Sequence, residues 1–448
     1  MSKNRFAAII LAAGEGTRMK SALPKVLHEI AGRPMIRHLI EALRPLEPAA
    51  TIIVLGRGME AVAKAVAPAA TVIQDPPRGT GDAVRAALPA LPLDSIRDVL
   101  VLYGDTPLLR TETIEELLNA RRLIPEAAVA AAGMRPDDPG PYGRLVLSPS
   151  GTLERIVEAR DADDEERAIG LCNGGIMALD ARLLSVLVGR IGNDNAKREF
   201  YLTDIVALAR RDGLVCRAAE LPAEDLIGVN TRTELAAAEA LLQQRLRTQA
   251  IDNGATLIAP ETVFLSADTS LGRDVVVEPN VFFGPGVAVA DNVRIRGFSH
   301  IEGATIAAGA IVGPFARLRP GAVLEADVHV GNFVEVKAST LHAGVKANHL
   351  SYLGDSEIGA GSNIGAGTIT CNYDGYNKHR TTIGENVFIG TGTALVAPVS
   401  VGDGAYVATG SVITADVAAD SLSIARARQV DKPGRAAELR ARLRGRNR

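Results

Sequence analysis

Near its start the chain reads Leu11-Ala12-Ala13-Gly14-Glu-Gly16-Thr17-Arg18, followed by Pro24-Lys25. Glycines directly after a first apolar strand suit a loop whose backbone amides approach phosphates at a helix N-terminus. Arg18 and Lys25 would bring positive charge to the place where a phosphoryl group develops negative charge. The run lacks the GxxxxGK[ST] pattern and does not match G-x-G-x-x-G, so neither a P-loop nor a dinucleotide reading follows from it. Asp105 comes just after the apolar run Val99–Leu102. A carboxylate there can hold Mg²⁺ against nucleotide phosphates, although aspartate is equally at home in a turn or helix cap. Two further segments gather polar and aromatic groups, His342–Asp355 and Thr370–Thr381, and hold Tyr352, Tyr373 and Tyr376 of the seven tyrosines.

The elements that must position these groups differ between the two parts of the chain. Its 448 residues are 47% hydrophobic, 23% charged and only 4% aromatic, with 44 glycines and a net charge of −3. That balance is globular and excludes disorder, collagen and a coiled coil for the bulk of the chain. It also excludes a nucleic-acid protein driven by bulk charge, and the length implies two or three domains. Residues 1–250 hold 34 Leu against 33 Val plus Ile, whereas residues 251–425 hold 10 Leu against 35 Val plus Ile. Leucine favours helices and β-branched residues favour strands, so the two parts should differ in class.

In the first part, short apolar runs at Ala7–Ala12, Thr51–Leu55, Val99–Leu102, Val129–Gly133 and Ile176–Ala178 predict strands. Amphipathic runs at Met35–Leu43, Thr80–Ala87 and Thr111–Arg122 predict helices between them. Alternation of this kind predicts an α/β domain with a mostly parallel, doubly wound sheet and ligands at the carboxyl ends of its strands. The first run is read as a buried strand and not a signal peptide, being only eight residues long before the glycine loop. No stretch approaches the ~20 apolar residues of a membrane span. Cys172, Cys216 and Cys371 are odd in number, far apart and without metal-ligand spacing, which fits a reducing, cytoplasmic compartment.

In the second part, branched aliphatic residues recur every six positions: Val275, Val281, Val287 and Val293, then Ile306, Val312, Leu318, Leu324, Val330 and Val336. Small or branched residues such as Ala310, Ala316 and Ala322 accompany them. Period six fits neither a helix nor an alternating strand, and predicts a parallel β-helix with three short sides per coil. The spacing is read as broken at His342–Asp355 and at Thr370–Thr381, where loops would stand. The narrow interior is read as having no room for stacked rings. The expected organisation is residues 1–230 as the catalytic α/β domain, 231–250 as a linker helix, 251–425 as the β-helix and 426–448 as a basic tail.

The glycine-rich stretch, with Gln74, Gly79-Thr80-Gly81, Tyr103-Gly104-Asp105, Tyr142-Gly143-Arg144, Glu158, Asn173 and Gly228-Val229-Asn230, resembles the sugar-1-phosphate nucleotidylyltransferases. That resemblance implies a Rossmann-like fold in which Leu11, Ala12, Ala13, Gly14, Gln74, Gly79 and Thr80 hold the uracil and ribose of UTP. It places Tyr103 and Gly104 in the same nucleotide site, and Gly143, Glu158 and Asn173 against the sugar phosphate. It pairs Asp105 with Asn230 as Mg²⁺ ligands, with Arg18 and Lys25 catalytic. The sugar phosphate's own oxygen attacks the α-phosphorus, so no protein nucleophile is required and catalysis is positioning plus charge neutralisation.

Ala-Asn-His349-Leu-Ser-Tyr352-Leu-Gly-Asp355 and Ile364-Gly-Ala-Gly-Thr-Ile-Thr-Cys-Asn372-Tyr373, set in hexapeptide repeats, extend the resemblance to about Ala7–Arg426. The chain resembles the bifunctional uridylyltransferase/acetyltransferases of bacterial UDP-N-acetylglucosamine synthesis, which supply peptidoglycan and lipopolysaccharide precursors for cell-wall biogenesis and cell shape. The resemblance implies a left-handed β-helix that transfers acetyl from acetyl-CoA to glucosamine-1-phosphate. It makes His349, of seven histidines, the general base, a role suited to a side chain titrating near neutrality. It sets Arg319, Lys337, Tyr352 and Asn363 around the acetyl acceptor and Ala366, Asn372, Tyr373, Thr391, Thr409 and Arg426 around acetyl-CoA, with Lys378 near the phosphate. Thr391 and Thr409 depart from the family pattern, Thr409 being the bulkier change. A homotrimer is implied, with small-molecule substrates and neither nucleic acid nor membrane as partner.

Nine Lys/Arg from Arg426 to Arg448 oppose only Asp431 and Glu438, so the tail suits CoA phosphates, nucleic acid or plain solvation. Two other readings stand beside the bifunctional one. One is a nucleotidylyltransferase with a merely regulatory β-helix, resembling ADP-glucose pyrophosphorylase; the other is an inactive scaffold. Lys25, Asp105 and Asn230 argue against the scaffold, and His349, Tyr352, Lys337 and Asn372-Tyr373 argue against a regulatory helix.

Overall fold

The computed structural model describes residues 5–14, 16–195 and 197–445; Glu15 of the glycine loop and Arg446 and Arg448 of the tail lie outside the described residues. The chain divides into two compact units, Met1–Leu246 and Arg247–Arg448.

In the first unit the strand Phe6–Leu11 is buried along its whole length, as a continuous apolar run in a parallel sheet should be. Its side chains alternate between two cores: Ala7, Ile9 and Leu11 face one, and Phe6, Ala8 and Ile10 the other. It pairs in parallel with Ala50–Leu55 on one side and Asp98–Tyr103 on the other. The path across the sheet runs Cys216–Glu220, Val129–Met134, Cys172–Asp180, Asp98–Tyr103, Phe6–Leu11, Ala50–Leu55 and Ala70–Ile73. Only Cys172–Asp180 on this path is antiparallel to its neighbours. The chain leaves Phe6–Leu11 to one side and returns beside it at Asp98–Tyr103. That reversal opens a crevice at the carboxyl ends, where Leu11 pairs with Tyr103.

The helices Met35–Leu43, Thr80–Ala87 and Thr111–Arg122 form with the expected bounds. Ala70–Ile73 and the Arg144–Leu147/Leu153–Val157 hairpin lack a long apolar run and escape sequence reading. The expected linker forms the helix Arg232–Asp252.

Asp225, fully buried, ties this unit together. Its carboxylate accepts from Arg110 Nε at 2.9 Å and from Arg245 Nη2 at 2.7 Å, and also from the Thr113 hydroxyl. The bond to Asp225 raises the Arg110 pKa, which fixes its charge. Asp225→Ala is expected to cost the first unit about 2–3 kcal/mol, discounted because both arginines reach solvent. Denaturant unfolding followed by a probe in the first unit checks this.

The second unit is a solenoid of three parallel sheets, in which each strand pairs with the corresponding strand of the next coil. Phe283 pairs with Ile301, Ile301 with Leu318, Leu318 with Val336 and Val336 with Leu353, so successive coils alternate between 18 and 17 residues. This corrects one sequence expectation. His342–Asp355 is no interruption: Leu341, Ala347 and Leu353 are buried at the same spacing of six, and the change of frame comes from a side one residue shorter. Thr370–Thr381 is a true insertion, since Ile358 pairs with Ile383 across 25 residues. The interior also admits a ring, because Phe283 is fully buried. Other rings stack outside, with Phe298, Phe315 and Phe333 at centroid spacings of 5.0 and 5.2 Å.

Candidate functional site

The crevice of the first unit holds a cavity of about 260 Å³ lined by Leu11, Ala12, Ala13, Gly14, Lys25, Gln74, Gly79, Thr80, Tyr103 and Asp105. All of these are among the residues expected from the sequence; Val26, Pro77, Ala83 and Glu199 also line it and were not expected. The loop closes on itself at Gly16, whose φ is +65° and where a Cβ would fall 2.5 Å from that of Lys25. Gly79 has φ +114°, and a Cβ there would meet the Phe200 carbonyl at 2.7 Å. Gly104 does not line the cavity; its N–H donates to Leu11 O at 2.9 Å and braces the wall.

Residues far apart in sequence meet at the mouth. The Lys25 ammonium pairs with the Asp105 carboxylate and donates to Asn230 Oδ1 at 3.0 Å, and Arg18 Nη2 donates to the same oxygen at 2.9 Å. Asn230 is held by a capping box on the helix Arg232–Asp252. Glu234 accepts from the Asn230 and Thr231 amides at 2.6 and 2.9 Å, and Thr231 Oγ1 accepts from Glu234 N at 3.2 Å. Two hard oxygens from one carboxylate and one amide, gathered around a cation, fit Mg²⁺, which characteristically takes few protein ligands and completes its shell with phosphate and water. No cluster of three or more His, Cys, Asp or Glu with metal-binding geometry occurs among the described residues.

An adjoining cavity of about 410 Å³ shares Thr80, Tyr103 and Glu199 with the first, and brings in Gly143, Glu158, Asn173 and Asn230. Lys197, Tyr201 and Arg160 also line it, and no periodicity marks them in the sequence. Burial pushes the Glu158 carboxyl upward against the opposing bond from Thr203 Oγ1 at 3.2 Å, and burial pushes the Tyr103 phenol far up. The two cavities give room for an elongated ligand with an anionic middle.

In the second unit the strand pairing lines up a column on successive coils. Asn332 is in register with His349, and Gly367 N donates to His349 O at 3.2 Å. Gly392 N donates to Ala366 O at 2.7 Å, and Gly410 N to Thr391 O at 2.8 Å. His349, Ala366, Thr391 and Thr409 are therefore stacked neighbours on an edge roughly 14 Å long, at one strand spacing per coil. Arg426 closes the column, with Nη1 donating to Thr409 O at 2.6 Å. The Ala366 N–H has no protein acceptor among the described residues. His349 is exposed, and its Nδ1 lies 2.9 Å from Asn332 Oδ1. An amide oxygen accepts there, so Nδ1 carries the hydrogen and Nε2 is left as a base.

Arg319 follows the strand Arg317–Leu318 and bonds to Val336 O at 2.9 Å, which sets it beside Lys337 on the next coil. Arg319 Nη1 donates to Glu335 Oε1 at 2.8 Å, and Lys337 Nζ lies 3.7 Å from Asp355 Oδ2. Asn372 Nδ2 donates to the same Asp355 carboxylate and reaches the Tyr352 hydroxyl at 3.4 Å. Contact with Lys337 holds the Lys378 ammonium below its usual range, as two adjacent cations should. Asn363 is in register with Lys346, a coil beyond His349's own strand. Tyr373 is exposed in the inserted loop, where its hydroxyl donates to Gly375 O at 2.5 Å. Asn332 and Glu335, which carry no signal in the sequence, are polar side chains on strands, and Asp355 stands in the bend between Tyr352–Gly354 and Ser356–Ile358; only coil stacking brings the three to the site.

Residues 8–173 match the family model for the MobA-like NTP transferase domain, and residues 380–415 match bacterial transferase hexapeptide repeats. The chain is similar to proteins named bifunctional protein GlmU. It is 58% identical over 441 residues to that of Rhodospirillum rubrum and 55% identical over 442 residues to that of Paramagnetospirillum magneticum. It is 56% identical over 447 residues to that of Azorhizobium caulinodans, and 98% of each chain is covered in all three comparisons.

Proposed function

Because this chain belongs to the family of bifunctional GlmU proteins, we infer that it builds UDP-N-acetylglucosamine in two transferase reactions. Acetyl passes from acetyl-CoA to the amine of glucosamine-1-phosphate, and uridylyl then passes from UTP to N-acetylglucosamine-1-phosphate with release of pyrophosphate. The observation that carries this reading is the full-length match, which takes in the nucleotidyltransferase unit and the hexapeptide solenoid together.

In the acetyl step, His349 Nε2 takes a proton from the attacking amine as nitrogen bonds to the thioester carbon. The Ala366 N–H faces the developing oxyanion, and the imidazolium returns the proton to the departing thiolate. Arg319, Lys337 and Lys378 bind the sugar phosphate, with Tyr352, Asn363 and Asn372 around the sugar. The edge through Thr391 and Thr409 to Arg426 suits a long thin donor such as the pantetheine arm of acetyl-CoA, with Tyr373 by the thioester. Asn332 is a positioning residue. Asn332→Leu is expected to lower kcat for acetyl transfer by up to about 100-fold with little change in KM, which steady-state kinetics checks.

In the uridylyl step, the phosphate oxygen attacks the α-phosphorus in line, and the Lys25 and Arg18 charges face the pentavalent phosphorus and the leaving pyrophosphate. Asp105 and Asn230 would hold Mg²⁺, which supplies further charge neutralisation at the phosphates when bound. Gly143, Glu158 and Asn173 seat the sugar phosphate.

A homotrimer is the assembly we propose. The exposed Phe298–Phe315–Phe333 ladder supports it, since contiguous apolar surface of this kind marks a place that another chain covers. No described helix is long and apolar enough to cross a membrane, and the cytoplasm is the compartment we propose. Purified protein supplied with each substrate pair in turn tests the function. Thiol release with glucosamine-1-phosphate and acetyl-CoA, and pyrophosphate release with N-acetylglucosamine-1-phosphate and UTP, are the expected results. Pyrophosphate release alone would favour a regulatory solenoid.

A further inference from the structure

The amide of Gln74 is buried in the wall of the first cavity, and its donors are both spent inside the protein. Nε2 donates to Gly79 O at 2.9 Å and to Asp82 Oδ2 at 3.0 Å. Both partners are acceptors only, so the atom between them must be the nitrogen. Asp82 is itself fixed, with Oδ1 accepting from Arg78 Nη2 at 3.0 Å. Among the described residues Gln74 Oε1 has no protein donor, so an acceptor is the only polar atom this side chain has left for a ligand.

We propose that Asp82 sets the nucleobase selectivity of the uridylyl site by locking Gln74 with its oxygen toward the base. Resting on the reading of this cavity as the UTP site, the lock matches the N3–H of uracil, a donor. Cytosine presents a lone pair at that ring position, and two acceptors would face each other. A free glutamine amide could rotate to greet either base, and the discrimination would vanish. Asp82 touches no ligand; it acts through Gln74. Its partner Arg78 sharpens the test, because in Asp82→Asn the amide oxygen would stay toward Arg78 and the amide nitrogen would turn toward Gln74. A donor would then oppose Gln74 Nε2 and favour the rotated amide, in competition with the Gly79 carbonyl.

Uridylyl transfer is compared with cytidylyl transfer, as the ratio of kcat/KM for UTP and CTP. Wild type is expected to prefer UTP strongly. Asp82→Asn should lower the ratio by about tenfold, the scale of one mispaired hydrogen bond, and Asp82→Ala, which lets water in, should also lower it. Arg78→Ala keeps the carboxylate and should keep the wild-type ratio. Equal losses with both nucleotides in Asp82→Asn and Asp82→Ala, leaving the ratio unchanged, would make Asp82 a purely structural residue and overturn the proposal. A wild type without preference for UTP would instead overturn the uridylyl reading. Should Asp82→Asn fail to fold, as seen by thermal unfolding, the ratio in Asp82→Ala decides.

Discussion

Replacing His349 by alanine is expected to lower acetyl transfer by about 10²–10⁴-fold, the usual contribution of a positioned general base. Uridylyl transfer by the same preparation should stay at the unsubstituted level. His349 carries the only basic nitrogen on the column that runs through Ala366 and Thr391 to Thr409, with Nδ1 committed to Asn332. Alanine leaves the coil intact, because the His349 side chain is exposed and its backbone carbonyl still accepts from Gly367. The loss should therefore fall on kcat, while the phosphate contacts of Arg319 and Lys337 keep KM for the sugar phosphate near its original value. Thiol release monitored at fixed protein concentration gives both constants.

Asp105→Ala should produce the converse pattern, with uridylyl transfer down by about 10²–10³-fold and acetyl transfer unchanged. The carboxylate does two things in the crevice: it fixes the Lys25 ammonium and, with Asn230, offers oxygen to Mg²⁺. Its removal leaves Lys25 bonded to Asn230 alone and takes away the only carboxylate of the proposed metal pair. The strand Asp98–Tyr103 is unaffected, since the backbone carbonyl of Asp105 still accepts from Val229 N at 2.8 Å. A raised Mg²⁺ requirement in the residual activity would accompany the loss, and pyrophosphate release across a Mg²⁺ titration measures both.

The sequence was readable wherever function or folding sits in one contiguous stretch. Leu11–Gly14 and Tyr103–Asp105 end or follow sheet strands and Gly79-Thr80 opens the helix Thr80–Ala87, and the structure gathers them at the carboxyl edge as an α/β sheet must. The six-residue spacing named the solenoid because its interior positions repeat whatever the surface does. Reading failed where a geometric detail depends on stacking. The 17-residue coils looked like a break at His342–Asp355, although Leu341, Ala347 and Leu353 keep the interior filled. Glu199 and Asn332 carry no local pattern, because each acquires its neighbours from an element or coil that only the fold brings near. Asp82 and Glu234 bond within eight residues of themselves, Glu234 in a Thr-x-x-Glu capping box, but neither stands in a stretch that points to the site. The interior accepts the single ring of Phe283, and the stacked phenylalanines stand on the outside, in agreement with an interior that has no room for stacked rings.

Two separate sites in one chain is the central claim, and it is tested most directly by assaying wild type, His349→Ala and Asp105→Ala for both half-reactions. The prediction is a crossed pattern, in which each variant loses one activity and keeps the other at the wild-type level. Parallel loss of both activities in either variant, or a wild type that releases no thiol from acetyl-CoA, would contradict it.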